Sequence, residues 1–255
     1  MMQVLIKKDY EECSAFLADY AAGKINSFKP SASRPFVLGL PTGSSPVGAY
    51  KRLAALCQSG KISFENVITF NMDEYIGLAR EHRESYYRFM HENFFNHIDI
   101  KKENVNMLDG MASDPATECE NFEEKIKTAG GINLFLCGIG ANGHLAFNEP
   151  GSPLTSRTRI TTLAEATRKA NSRFFDNDID KVPKSALTVG VGTVTDAEEI
   201  LLMAFGECKA EALCQAIEGE VSDICPASAL QLHQNCTIVC DEAAAGKLQK
   251  NAIVC

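Results

Sequence analysis

The sequence predicts an α/β fold in which a mostly parallel sheet is covered by helices on both faces. Two observations support this prediction. Short continuous apolar runs, typical of strands buried on both faces, alternate with segments whose apolar residues recur at helical spacing. No repeat, low-complexity stretch or linker interrupts the 255 residues, so we expect one domain over residues 1–255.

In the first part of the chain, the elements follow from local patterns. Residues 10–27 carry apolar side chains at helical spacing, and the run PFVLGL at 35–40 predicts a buried strand. A helix over 47–58 and a strand over 67–70 follow. Helices are then predicted over 85–95 and 115–127, the second with Asp114 as its N-cap.

The second part begins with a strong buried strand, INLFLC at 132–137. Residues 138–183 show no clear periodicity. A strand over 200–205, a helix over 209–217, a strand over 237–240 and a final helix complete the chain. In folds of this kind ligands bind beyond the carboxyl ends of the strands, so the loops that follow strands are where we expect the site.

Composition and charge exclude several classes of partner. The net charge is −8 and no run of Lys and Arg forms a basic stripe, which argues against nucleic acid. No apolar run is long enough to span a bilayer, and the first residues lack the apolar core of a signal peptide. The ten cysteines include no C-x-x-C pair, and several lie in apolar segments, which indicates free thiols. We therefore expect a cytoplasmic protein with no membrane partner.

The first candidate loop, LPTGSSP at residues 40–46, follows strand 35–40 directly. Its small residues would let backbone N–H groups approach a ligand, its hydroxyls add donors, and the next helix contributes the positive end of its dipole. These are the components of a phosphate site. The same residues also fit a tight turn in which Ser45 caps the helix and Pro46 takes its first position.

Two acidic residues, Asp73 and Glu74, lie in the second loop, FNMDEY at residues 70–75. A carboxylate held at the end of a buried strand is a candidate general base. The alternative is an exposed acidic loop or a helix cap. The sequence does not decide between these interpretations.

The third loop, GIGANGHLAFNEP at residues 138–150, contains His144 and Glu149. An imidazole and a carboxylate in one loop can relay a proton between a substrate oxygen and solvent. A structural histidine is the alternative. Arg173 and Lys209 are further candidates, because an arginine and a lysine together can hold one phosphate group.

Taken together, the segments LGLPTGSSP, ITFNMDEY, SYYRFM, GIGANGHLAFNEP, SRTR, NSRFFDND and ALTVGVGT resemble the glucosamine-6-phosphate deaminases, over about residues 3–245. FNMDEY together with GHLAFNEP is the most specific part of this resemblance. It implies a three-layer αβα sandwich of Rossmann-like character. It also implies conversion of the phosphosugar glucosamine 6-phosphate and water to fructose 6-phosphate and ammonium, without a metal or cofactor.

The resemblance implies a role for each candidate residue. Asp73 matches the base that moves a proton between C2 and C1 of the sugar. His144 matches the residue that assists ring opening, with Glu149 as its carboxylate partner. A mobile lid is implied at about residues 163–182. The implied ligands of the substrate phosphate are Thr42, Gly43, Ser44, Ser45, Arg173 and Lys209.

Four departures from the well-known hexameric bacterial form imply a shorter, non-allosteric branch. Asn142, a catalytic candidate, stands where that form has an Asp, so position 142 cannot act as a carboxylate relay. Thr161 replaces a Lys of the allosteric phosphate site, although Arg159 remains. Residues 224–230, ICPASAL, replace a Trp-containing segment, and the sequence ends at Cys255, before the tail that completes that site. We expect a monomer, with a homo-oligomer as the alternative.

Two other functions stay open at this point. One is an isomerase or lactonase that acts on a different sugar phosphate, from which ammonia release would distinguish this protein. The other is a sugar-phosphate sensor, since effector domains of some bacterial repressors share the implied fold. The presence of Asp73, His144 and Glu149 together argues against a protein that only binds its ligand.

Overall fold

Two sheets account for the ten strands that the structure, a computed structural model, describes within residues 2–249. In chain order the strands are β1 Gln3–Lys7, β2 Phe36–Leu40, β3 Val67–Asn71, β4 Asp73–Tyr75, β5 Val105–Asn106, β6 Leu134–Gly138, β7 Arg159–Thr162, β8 Ser185–Thr188, β9 Ile200–Ala204 and β10 Cys236–Asp241. The main sheet is parallel throughout, in the order β1-β10-β9-β6-β2-β3-β5. The small sheet, β4-β8-β7, is antiparallel.

Helices cover both faces of the main sheet, which confirms the predicted αβα sandwich. The helices are α1 Tyr10–Phe28, α2 Val47–Gln58, α3 Tyr86–Asn93, α4 Pro115–Thr128, α5 Glu165–Asn171, α6 Val191–Thr195 and α7 Ala210–Glu218. Helices α1, α2 and α3 contribute to the core on one face, and α4, α6 and α7 to the core on the other. None of the helices within residues 2–249 is long and apolar enough to cross a membrane.

Strand β6 illustrates why the continuous apolar runs form central strands. Leu134 and Leu136 point into the core beside α1 and α2, whereas Phe135 and Cys137 point into the opposite core. All four side chains are fully buried. Because successive residues of a strand face opposite sides, a strand covered on both faces must be apolar at every position.

The order of the strands reverses direction between β2 and β6. From β2 the chain continues outward through β3 and β5, whereas from β6 it continues through β9 and β10 toward the other edge. The loops that leave β2 and β6 therefore diverge and open a crevice at their carboxyl ends. This switch point is where ligands bind in open α/β sheets.

Most predicted elements agree with the structure to within two residues at each end. The predicted helix 47–58 is α2, and the predicted strands correspond to β2, β3, β6, β9 and β10. Asp114 is the N-cap of α4, since its carboxylate accepts the N–H groups of Ala116 and Thr117 at 3.1 and 3.2 Å. Local sequence patterns are thus sufficient for most elements of the two main cores, although not for β1 or α6.

Two predictions at the ends of the chain differ from the structure. Strand β1 is not predicted, because only Val4 among its residues is buried at this edge of the sheet. The predicted final helix is wrong for residues 242–248, which form turns. There Asp241 accepts the Ala244 N–H at 2.8 Å, and the Leu248 N–H bonds to Ala245 at 2.9 Å. These short-range bonds compete with an α-helix.

The aperiodic segment of residues 138–183 holds part of the second sheet. Strand β7 alternates half-buried and exposed residues, so it carries only a weak apolar signal. Through β8 this strand connects to β4, which begins at Asp73. A small third core joins β4, β8 and the 163–182 segment, and consists of Tyr75, Phe147, Leu163, Phe175, Val182 and Ala186.

Candidate active site

Asp73 is a buried carboxyl at the start of β4, just beyond the end of β3. Its residue is 7% exposed, and its Oδ1 has no hydrogen-bond partner within the described residues. Burial and, as a smaller effect, the neighbouring Glu74 together raise the pKa of Asp73 to about 8, against a partial lowering by the side chain of Thr42. A free carboxyl with a pKa in this range is suited to act as a general base near neutral pH.

Glu74 has a different role from its neighbour. Its carboxylate accepts the backbone N–H groups of Tyr75, Tyr86 and Tyr87 at 2.8, 3.1 and 2.9 Å. Tyr86 and Tyr87 are the first residues of α3, whose N–H groups have no partner inside the helix. Glu74 therefore caps α3, as one of the two interpretations from the sequence proposed, and Asp73 is the residue left free.

The loop after β6 places Asn142, His144 and Glu149 in one cluster. The Asn142 amide donates to Oε2 of Glu149 at 2.8 Å, and its Oδ1 accepts the backbone N–H of His144 at 3.3 Å. Nδ1 of His144 lies 3.6 Å from Oε2 of Glu149, which is longer than a good hydrogen bond. That nitrogen has no other partner within residues 2–249, so the interaction with Glu149 is electrostatic in this structure.

Glu149 stays ionised at neutral pH. Burial would raise its pKa, but the nearby His144 and the hydrogen bonds from Thr167 and Asn142 lower it to about 2. The Thr167 hydroxyl, on α5, donates to the second carboxylate oxygen, Oε1. An ionised carboxylate beside an imidazole stabilises the protonated ring, which is what a proton-transferring histidine needs.

The position of the His144 ring explains why residue 140 in this loop is a glycine. A Cβ at Gly140 would lie 2.3 Å from three atoms of the His144 ring, a distance at which the atoms would clash. Only glycine therefore lets the imidazole lie against the backbone here. Gly140 thus leaves the space that the His144 ring occupies.

Residues 42–45, which we call the phosphate loop, lie between β2 and α2. The backbone N–H groups of Gly43, Ser44 and Ser45 make no hydrogen bond within the described residues. Helix α2 begins at Val47, and Pro46, the residue at its N-cap position, makes no side-chain capping hydrogen bond. The alternative in which Ser45 caps α2 is therefore wrong. Consecutive free N–H groups in front of a helix form a concave anion site.

Two cations, Lys209 after β9 and Arg173 in the 163–182 segment, lie close enough for their charges to interact. Burial lowers the pKa of Lys209, the Cys208 thiol opposes this change, and the positive charge of Arg173 lowers the pKa further. Neither Lys209 nor Arg173 forms an ion pair within residues 2–249. Like charges that are close together and uncompensated favour an anionic ligand between them.

The structure thus unites most of the predicted residues in two groups. One contains Asn142, His144 and Glu149, and the other joins Asp73 to Thr42 of the phosphate loop. Sequence reasoning missed Thr167, which lies in the segment without periodicity. No group of three or more His, Cys, Asp or Glu side chains in the described part of the chain could hold a metal ion.

The fold and the site define a class of protein: an αβα enzyme that moves protons on an anionic small molecule at the switch point. A family model described as Glucosamine-6-phosphate isomerases/6-phosphogluconolactonase matches residues 8–239. Since this match covers most of the chain, the protein belongs to that family.

Relatives of known name are similar over nearly the full length. A glucosamine-6-phosphate deaminase of Phocaeicola vulgatus is 58% identical over 248 residues, 97% of this chain and 94% of the relative. One of Treponema denticola is 56% identical over 252 residues, 99% of this chain and 93% of the relative.

Two solved structures show the similarity in three dimensions. A monomeric glucosamine-6-phosphate deaminase superposes with a TM-score of 0.92 at 42% identity, over 96% of this chain and 100% of that one. The 6-phosphogluconolactonase of Trypanosoma brucei has a TM-score of 0.77 at 18% identity, over 98% of this chain and 99% of that one. The second similarity is one of fold alone.

Proposed function

We propose that this protein converts glucosamine 6-phosphate and water to fructose 6-phosphate and ammonium. The observation that carries the proposal is the carboxyl of Asp73, which is buried, lacks a partner at Oδ1 and interacts with Thr42 of the phosphate loop. An aldose–ketose shift needs one base that reaches two neighbouring carbons on one face of the substrate. A single free carboxyl beside a phosphate site meets that need.

His144 assists the opening of the sugar ring in this proposal. Its imidazole carries the proton between the anomeric hydroxyl and the ring oxygen. Glu149, whose pKa is lowered to about 2 despite its burial, stays negative and stabilises the imidazolium that forms. Asn142 holds the carboxylate in place through its amide.

Asp73 then moves one proton on the open-chain sugar. It removes the proton from C2 and returns it to C1, while the carbonyl oxygen on C1 gains a proton and the amine nitrogen loses one. C1 thereby becomes a hydroxymethyl carbon and C2 becomes an imine carbon. Water adds to this carbon, and the nitrogen leaves as ammonia, which takes up a proton. Every bond change is a proton transfer, an addition or an elimination, so the overall reaction consumes only water.

The substrate phosphate is held at the other end of the site. The free N–H groups of Gly43, Ser44 and Ser45 point to this role, together with the uncompensated charges of Lys209 and Arg173. The phosphate is on C6, several bonds from C1 and C2. These contacts therefore bind substrate and transition state to a similar extent, whereas Asp73 acts on the reacting carbons.

The experiment is a coupled assay of ammonia release. We expect ammonia from glucosamine 6-phosphate, none from galactosamine 6-phosphate, and no hydrolysis of 6-phosphogluconolactone. Asp73→Asn should lower turnover by about 10²–10⁴-fold, the usual contribution of general-base catalysis. The matched control is Asp19→Asn, an exposed aspartate on α1. Lactone hydrolysis without ammonia, or normal exchange of the C2 proton with deuterated water in Asp73→Asn, would contradict the proposal.

Finer properties belong to the same proposal. A monomer is supported by the similarity to a monomeric deaminase, and a cytoplasmic location by nine free cysteines among the described residues. A mobile lid at residues 163–182 is supported by the hydrogen bond from Thr167 to Glu149 and by the position of Arg173, whose charge acts on Lys209. Opening of such a lid would expose both ends of the site.

The absence of allosteric activation is also part of the proposal. The guanidinium of Arg159 donates to Oδ1 of Asn148 at 2.6 Å and to the hydroxyl of Ser152 at 3.2 Å. The neighbouring position that would supply a second cation is Thr161. An effector phosphate would therefore meet one arginine that is already engaged.

A further inference from the structure

The hydroxyl of Tyr10 connects the start of α1 to both ends of the turn into α2. It accepts the backbone N–H of Gly48 at 2.8 Å and donates to the carbonyl of Ser44 at 3.2 Å. We propose that Tyr10 is a positioning residue, which holds the phosphate loop in the shape that binds the substrate phosphate. This inference rests on the proposed function, because it assigns a residue to the same phosphate site.

The bond to Ser44 determines which way a peptide group points. In a trans peptide the carbonyl of one residue and the N–H of the next point in opposite directions. Because Tyr10 binds the Ser44 carbonyl, the N–H of Ser45 is directed away from Tyr10. That N–H is one of the three free donors of the phosphate loop. A peptide rotated by half a turn would present a carbonyl oxygen to the phosphate and repel it.

The hydrogen bond from the Gly48 N–H fixes the hydroxyl of Tyr10 as the donor toward the Ser44 carbonyl. A tyrosine hydroxyl has a single proton, and when the oxygen accepts the Gly48 N–H, the proton is available for the Ser44 carbonyl. Gly48 is the second residue of α2, and N–H groups in a first turn lack a partner within the helix. The hydroxyl of Tyr10 therefore binds one backbone donor, the Gly48 N–H, and one backbone acceptor, the Ser44 carbonyl.

The sequence at position 48 is what allows Tyr10 to come so close. A Cβ at Gly48 would lie 2.3 Å from Oγ of Ser14 and 3.0 Å from the Tyr10 hydroxyl. Only glycine lets α1 approach the first turn of α2 at this point. The close packing of the two helices thus brings the phenol within reach of the loop.

The ring of Tyr10 also contacts the segment that carries the cationic side of the site. It packs edge-on against Phe205 with ring centroids 5.2 Å apart. Phe205 follows β9 directly, four residues before Lys209. Tyr10 therefore lies between the phosphate loop and the segment that ends in Lys209, and it fixes the first relative to the second.

The test compares two tyrosine-to-phenylalanine variants on the same helix. Tyr10→Phe keeps the ring and removes both hydrogen bonds of the hydroxyl. Tyr20→Phe is the matched control, because its hydroxyl binds Glu199 at a different part of α1. For Tyr10→Phe we expect KM for glucosamine 6-phosphate to rise about three- to tenfold, because the bond to Ser44, which orients the Ser45 N–H, contributes as much as one neutral hydrogen bond. We expect kcat to change less than twofold, and Tyr20→Phe to keep both constants.

A direct binding measurement makes the outcome independent of turnover. The dissociation constant of inorganic phosphate, measured by calorimetry, should rise in Tyr10→Phe by the same factor as KM. An unchanged phosphate affinity, or a loss of kcat with an unchanged KM, would overturn the assignment. So would an equal loss of phosphate affinity in Tyr20→Phe, which would indicate a general effect on α1. Because phosphate binds whichever phosphosugar is turned over, this measurement still decides on Tyr10 if the wild type releases no ammonia.

Discussion

The side-chain amide of Asn142 donates a hydrogen bond to Oε2 of Glu149 at 2.8 Å. The same carboxylate oxygen lies 3.6 Å from Nδ1 of His144. An amide at position 142 thus supplies a donor where a carboxylate would repel Glu149. The departure from the hexameric form is therefore compatible with the proposed chemistry, because it keeps Glu149 ionised and oriented.

Replacement of Asn142 by alanine should destabilise the protein in a pH-dependent way. Hydrogen bonds to a charged group contribute about 1.5–3 kcal/mol, so we expect the free energy of unfolding at pH 7 to fall by roughly 1–3 kcal/mol. The pKa of Glu149 is lowered to about 2 by its partners, although burial opposes them. In the unfolded chain it is about 4.3.

The sign follows from these two values. A carboxylate with a lowered native pKa stabilises the fold above its unfolded pKa and loses this contribution as the pH falls through the native one. The difference between wild type and Asn142→Ala should therefore be full above pH 4.5 and vanish toward pH 2. Urea unfolding at pH 3, 5 and 7 measures it. A difference that does not depend on pH would show that Glu149 is not its source.

Asp73→Asn should stabilise the protein at neutral and alkaline pH. Burial raises the native pKa of Asp73 to about 8, whereas an unfolded aspartate has a pKa of about 3.9. Between these values the unfolded state releases a proton that the native state retains, so stability falls as the pH rises. The asparagine variant lacks this penalty.

Thermal unfolding at several pH values tests this prediction. We expect the melting temperature of Asp73→Asn to exceed that of the wild type at pH 8, by about 2–4 °C for each kcal/mol gained. The two curves should meet near pH 4. Equal melting temperatures at pH 8 would mean that Asp73 is ionised at little cost in the native protein.

Lys209→Ala should weaken substrate binding more than it slows turnover. The lost interaction is a charge-assisted hydrogen bond of about 1.5–3 kcal/mol, so KM should rise about 10–100-fold while kcat changes little. Lys247→Ala is the matched control, since Lys247 pairs with Glu211 on the surface at 2.8 Å. Steady-state kinetics on glucosamine 6-phosphate measure both variants. An unchanged KM in Lys209→Ala would argue against the placement of the phosphate.

The substrate dependence of the rate should be hyperbolic with or without N-acetylglucosamine 6-phosphate. A phosphate effector would lack the cation that Thr161 replaces, and Arg159 is engaged by Asn148 and Ser152. Allosteric coupling is typically only about 1–3 kcal/mol, so the loss of one charged contact is sufficient to remove it. Titration of the substrate at saturating effector measures this. A sigmoidal curve that the effector straightens would contradict the prediction.

The sequence predicts the main sheet well because its strands are marked by continuous apolar runs. Strand β6 is an example, since four of its five residues are fully buried. The small sheet is different. Strand β7 is half-exposed and four residues long, and its pairing with β8 depends on tertiary contacts that no local pattern records.

The two acids of the second loop show a further limit. Asp73 and Glu74 are adjacent in sequence and similar in chemistry, and only the resemblance to a family favours the first. In the structure, Glu74 caps α3 through N–H groups twelve and thirteen residues later. The position of the first turn of α3 in the fold therefore determines that Glu74 is bound and Asp73 remains free. No local pattern reveals Tyr10 either, because its partners lie in the phosphate loop and on α2, more than thirty residues away in the sequence.

The unpaired cations Lys209 and Arg173 have a consequence for the speed of substrate capture. The protein as a whole carries a charge of −8, so its distant field repels a sugar phosphate. Near the crevice, the two positive side chains reverse that field over a short range. At physiological ionic strength the screening length is about 8 Å, which suppresses the distant repulsion more than the attraction at close contact. Ordinary cellular salt therefore removes most of the long-range barrier that the acidic surface would impose on an arriving anion.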